Sequence, residues 1–169
     1  MPTISRMRAI VAACGLASTF AIGTCVTPAM AATATTTFQV TATVAATCLI
    51  SATSLAFGSY TGVVANATST ISVTCTNTTP YNVGLDAGTA SGATVTTRKM
   101  TGPASALLNY ALYRDSAHTL NWGNTVGTDT QSGTGSGSAQ SLTVYGQVAA
   151  SQFVAPGSYT DTITATVSY

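Results

Sequence analysis

The sequence predicts an all-β sandwich. Short runs rich in Val, Thr and Tyr alternate with clusters of Gly, Asn and Ser, which is the rhythm of strands and turns. Beyond residue 31 no stretch repeats Leu, Ala, Glu or Lys with a helical period. Residues 158–169 read as one long final strand with nothing left to cover its outer edge, whereas a sandwich ordinarily finishes its second sheet with one strand more.

Residues 1–31 read as a secretory leader. Arg6 and Arg8 precede an uncharged apolar run over 9–26, and Ala29-Met30-Ala31 supplies the small-x-small cleavage pattern. Two alternatives stand beside this reading. An anchoring helix is opposed by Gly23, Thr24 and Pro28 and by the lack of any later apolar span, so no transmembrane anchor is expected in the mature protein. Lipidation at Cys14 lacks a preceding apolar region, and at Cys25 it meets Thr24 in the residue before. Removal of the leader leaves residues 32–169, one ordinary domain.

The first strand signal is residues 36–44, where Phe38, Val40, Ala42 and Val44 share one face and Thr and Gln the other. Residues 48–50 and 55–57 follow, either one strand broken by a bulge or two short ones. Gly58 and Gly62 flank a turn around Tyr60. Further strands are expected at 70–75, 81–85, 107–113 and 142–149. Residues 86–102 read as a loop or irregular hairpin. Residues 121–141 read as a long flexible connection, richest in Gly and Ser over 132–138.

Composition excludes several functions. After the leader, Arg98, Lys99 and Arg114 face Asp86, Asp115, Asp129 and Asp161, one negative charge in excess, and glutamate is absent. No basic patch is available to neutralise phosphates, so nucleic acid is not an expected partner. Of four cysteines, Cys48 and Cys75 remain after the leader, most simply as one disulfide of an exported domain. A metal site lacks partners, since His118 is the single histidine. No cofactor is expected either. Residues 114–118 hold Ser116, Asp115 and His118, but triads are assembled from separated segments, so this reads as a polar turn and not as an enzyme's site. Residues 133–137 are Gly-rich with no Lys and no helix following, which makes a mobile loop and no phosphate cradle. Asn66 and Asn77 sit in sequons that read as chance in a Thr-rich chain. The tyrosines read as core or corner residues, and Trp122 either as core or as an exposed aromatic in the long connection.

Several motifs occur in a fixed order: Cys48; Phe57-Gly58-x-Tyr60; Val73-x-Cys75-Thr76; Pro80-Tyr81-x-Val83-x-Leu85; Leu108-x-Tyr110-x-Leu112-Tyr113-x-Asp115; Trp122-Gly123; and Gly157-x-Tyr159-x-Asp161-Thr162 followed by Val167-x-Tyr169. Together they resemble the spore coat protein U domain family, which includes the subunits of archaic, Csu-type chaperone–usher pili. The resemblance implies an incomplete immunoglobulin-like β-sandwich, six-stranded and missing the last strand, with an N-terminal donor strand. It implies the division 1–31 leader, 32–46 donor-strand extension and 47–169 pilin-type domain. It also implies export through the periplasm to the cell surface, capture by a periplasmic chaperone, passage through an outer-membrane usher, and polymerisation with neighbouring copies or related subunits. Phe38, Val40, Ala42 and Val44 are then the donor residues. The link from Val44 to Cys48 spans little more than about 10 Å, too short to carry the segment across its own sandwich. The alternatives from other classes are a secreted monomeric binding module and a spore or cell coat component.

Overall fold

The computed structural model describes residues 30–169, in two units, residues 30–41 and Ala42–Tyr169. The leader expected over 1–31 lies outside the described residues except for its last two. Residues 30–41 form no helix or strand and are exposed throughout.

Within Ala42–Tyr169 eight strands form a sandwich: β1 (Cys48–Ala52), β2 (Ala65–Cys75), β3 (Pro80–Leu85), β4 (Arg98–Thr101), β5 (Leu107–Tyr113), β6 (Gln131–Thr134), β7 (Gln140–Val148) and β8 (Ala165–Ser168). One sheet has the order β1-β2-β7-β5-β4 and the other β6-β3-β8, and every pairing is antiparallel. The expected all-β sandwich is present, and its core follows from alternation. Ile71, Val73 and Cys75 of β2, Leu108, Tyr110 and Leu112 of β5, and Val144 and Val148 of β7 face inward against Tyr81, Val83 and Leu85 of β3. Cys48 and Cys75 are directly opposed in the β1–β2 register and form the expected disulfide, with Cα atoms 4.0 Å apart.

Eight strands replace the expected six because two lie in stretches expected to be irregular. β4 ends the 86–102 loop and pairs with β5. β6 falls in the Gly/Ser-rich stretch, and so does the first half of the turn that follows it. That stretch is therefore no flexible connection: the Gly135 N–H donates to the Thr79 carbonyl at 2.7 Å, and the Gly135 carbonyl accepts from the Thr78 N–H at 2.8 Å. A Cβ on Gly135 would stand 2.3 Å from the Thr76 carbonyl oxygen, so glycine serves close backbone approach there, not mobility. Residues 55–57 make no strand, and the expected strand over 158–169 is a ladder only at β8, with one further bridge from Thr160 to Thr101. Its period is two throughout, but β3 ends at Leu85, and of the earlier residues only Thr164 bonds back there, to Asp86. Trp122 is core, 1% exposed, with its indole N–H on the Val83 carbonyl at 2.9 Å.

Candidate functional site

The sandwich is open along one side. β1 and β8 touch without forming a ladder, and beyond them the segment from Ala52 to Gly62 and the segment from Phe153 to Ala165 run as two lips with a trough between. The trough contains two cavities, of about 420 Å³ and about 840 Å³. Its floor at the first cavity is the core itself: Ile71, Leu85, Leu112 and Val144. Leu55 and Phe57 on one lip, and Tyr159 and Ile163 on the other, pack on that core yet remain half-exposed.

Both lips carry backbone groups that face away from their one neighbour. The Thr164 carbonyl accepts from the Asp86 N–H at 3.1 Å, which turns the even-numbered backbone groups toward β3. By alternation the N–H and C=O groups of Ile163, Ala165 and Val167 face the other way. On β1, Thr47 and Thr53 bond to Thr76 and Thr70 of the β2 side, each at 2.9 Å. The groups of Cys48, Ile50 and Ala52 therefore face outward. An apolar trough flanked by outward-facing backbone groups at the ends of β1 and β8 is the arrangement that accepts an added β-strand, because the strand supplies the ladder and its inward side chains supply the missing core.

A polar cluster braces one end of this trough. Asp161, on its lip, accepts from the Thr89 N–H at 2.8 Å, the Thr89 hydroxyl at 2.9 Å and the Tyr110 hydroxyl at 2.7 Å. Partial burial alone would raise the Asp161 pKa; the hydrogen bonds from Thr89, Tyr110 and Thr162 outweigh it and hold the carboxyl below its ordinary value. Burial, and then the bond to Asp161, push the Tyr110 phenol above its ordinary value. Asp86 Oδ1 accepts from the Gly88 N–H at 3.1 Å and the Thr164 N–H at 2.9 Å, tying the same loop to the same lip. Beneath lies Arg98, 0% exposed, whose guanidinium donates to the carbonyls of Asp86, Val95, Leu85 and Trp122 at 2.8, 2.6, 3.1 and 2.7 Å. Burial lowers its pKa.

Of the residues expected to act as donor, Phe38 and Val40 are 85% and 81% exposed, Ala42 is exposed, and Val44 is 84% exposed; none lies in a strand. Their apolar face is thus unspent. The acceptor side was not resolved into residues by sequence reading. Tyr159 and Asp161 stand in the motifs quoted for the family resemblance, which was the available signal for that lip. Nothing in spacing or period marks Arg98 as interior. Among the described residues no cluster of three metal-ligating side chains occurs, and no helix is long and apolar enough to cross a membrane.

The family model described as "Spore Coat Protein U domain" matches residues 34–166. "Protein U" of Myxococcus xanthus is 36% identical over 159 residues, covering 84% of this chain and 88% of that protein. Among solved structures, the crystal structure of the CsuC–CsuE chaperone–tip adhesion subunit pre-assembly complex, from archaic chaperone-usher Csu pili of Acinetobacter baumannii, contains a similar chain. The two share 23% identity at a TM-score of 0.57, over 75% of this chain and 41% of the other, so the likeness is one of fold and spans less than half of the solved chain.

Proposed function

We propose that this chain, which belongs to the spore coat protein U domain family, is a structural subunit of a surface fibre that polymerises by donor-strand complementation. The observation that carries the proposal is the open trough, with its floor of core residues and its unpaired strand edges, in a chain whose residues 38–44 present an exposed period-two apolar face. The trough needs a strand, and this segment has the pattern of one. Cys48 is tethered to Cys75 and the link from Val44 is too short to carry the segment across its own sandwich, so the segment of a neighbouring copy is the occupant. Such a head-to-tail contact uses different surfaces on the two partners and does not close on itself, which gives a filament.

In this reading a periplasmic chaperone holds the trough until assembly, an outer-membrane usher carries the subunit to the surface, and the fibre supports adhesion and biofilm formation. The solved relative is itself part of a chaperone–subunit complex, which supports the chaperone step. A chain lacking residues 32–44 is expected to bind the chaperone and to form no polymer, while the full chain gives ladders in SDS that collapse on boiling. Unchanged ladders from the shortened chain refute the proposal, and a single monomer band from the full chain favours a monomeric binding module. The family's description leaves room for the same exchange building a coat, and electron microscopy of assembled material separates sheet from fibre.

A further inference from the structure

The trough is not uniform along its length. Its two cavities share Leu55, Phe57, Met100, Tyr159 and Thr160, and these residues form a waist between them. The rings at the waist are fixed. Leu55 and Phe57 are pressed onto β7, where a Cβ on Gly146 would come within 2.8 and 2.9 Å of them. Phe57 also stands edge-on to Tyr110 with ring centroids 6.0 Å apart. From the opposite lip the Tyr159 ring lies on Gly102, where a Cβ would be 2.4 Å from it, and its hydroxyl donates to the Ala155 carbonyl at 2.7 Å. Glycines at 102 and 146 let both rings lie close against the backbone behind them.

A strand lying in the trough places one side chain inward about every 6.8 Å. The face formed by Phe38, Val40, Ala42 and Val44 contains one small member. We infer that Ala42 seats at the Phe57–Tyr159 waist of the neighbouring copy and thereby sets the register of strand insertion, with Val40 and Val44 entering the cavities on either side. This rests on the donor-strand reading above. A slip of two residues brings Val40 or Val44 against fixed rings, and a slip of one turns the apolar face outward, so the waist rejects both.

The test uses the full chain and the rate of ladder formation. Residue 42 is exposed in the single chain, so Ala42→Leu leaves its folding unchanged. That variant is expected to polymerise roughly tenfold or more slowly, as overpacking of a fixed site requires. Val40→Leu slows the reaction less than Ala42→Leu does, and Ala34→Leu, at an exposed residue outside the donor run, stays near the parent rate. Phe57→Ala, which opens the waist, is expected to restore the rate when combined with Ala42→Leu, and Met100→Ala serves as a second opening should the first weaken the fold. An Ala42→Leu chain that polymerises at the parent rate overturns the register assignment and leaves strand exchange standing. So does a combined variant no faster than Ala42→Leu when the opening substitution alone polymerises normally. A parent chain that forms no ladder overturns both.

Discussion

Replacing Phe38 by alanine separates the stability of the subunit from that of the junction between subunits. In the single chain Phe38 is 85% exposed, so its loss costs the isolated fold no more than about 0.5 kcal/mol, the range of ordinary surface substitutions. In a fibre built as proposed the same ring is buried in a neighbour's trough, where full burial of a large apolar side chain contributes roughly 1.5–3 kcal/mol. At about 1.4 kcal/mol per tenfold, each junction of the variant dissociates roughly ten- to 150-fold faster if the loss falls on the off-rate. Two assays read the two terms: thermal unfolding of the monomer, and the temperature at which SDS ladders break down. The expected result is an unchanged monomer and ladders that fail at markedly lower temperature. Equal losses in both place Phe38 inside its own subunit, and no loss in either removes it from the junction; either result refutes the reasoning.

Other consequences follow from the subunit itself. Replacing Cys48 and Cys75 by serine, or reducing them, releases a loop of 27 residues' separation and is expected to lower stability by roughly 3 kcal/mol in denaturant titration. Arg98→Met leaves the Leu85, Asp86, Val95 and Trp122 carbonyls without their donor and should cost at least about 3 kcal/mol in thermal unfolding, with Arg98→Lys a poor substitute because an ammonium cannot match the planar fork. The folded Asp161 carboxyl lies below its unfolded value, so its contribution is complete above the ordinary carboxylate range and is lost as pH falls through the lower folded pKa. Asp161→Asn should flatten that acid limb. Tyr110 is held above its ordinary value, so its contribution persists below about pH 10 and falls away as pH rises further, a limb that Tyr110→Phe removes.

Legibility of the fold tracked side-chain contrast. β5 was readable to its ends because Leu108, Tyr110 and Leu112 alternate with less buried residues, and β3 because the apolar Tyr81, Val83 and Leu85 alternate in sequence with Asn82 and Gly84. β6 was invisible because Gln131, Ser132, Gly133 and Thr134 include no apolar residue: Tyr81 fills the space beside Gly133, where a Cβ would meet its ring at 2.4 Å. β4 was hidden by chemistry, since its inward residue is an arginine satisfied by four carbonyls, of which those of Leu85, Asp86 and Trp122 lie outside its own turn, an arrangement no local pattern encodes. The final strand was overread because period two reports which face is apolar and does not report whether a partner strand is present. At the candidate site, the donor face was legible as alternation over residues 38–44. The acceptor was legible as an uncovered final-strand edge over 158–169 and otherwise only as a resemblance, because a trough is made by residues far apart in sequence, from Leu55 to Ile163.

Amide hydrogen exchange on a chain lacking residues 32–44, before and after addition of a peptide spanning residues 36–44, tests the open trough most directly. Thr164 and Thr166, already turned toward β3, should change little. The amides of Ile163 and Ala165, turned toward the trough, should exchange freely without peptide and slow by orders of magnitude with it. Amides at 163 and 165 that are protected from the start, or that remain unprotected with saturating peptide, would contradict the account.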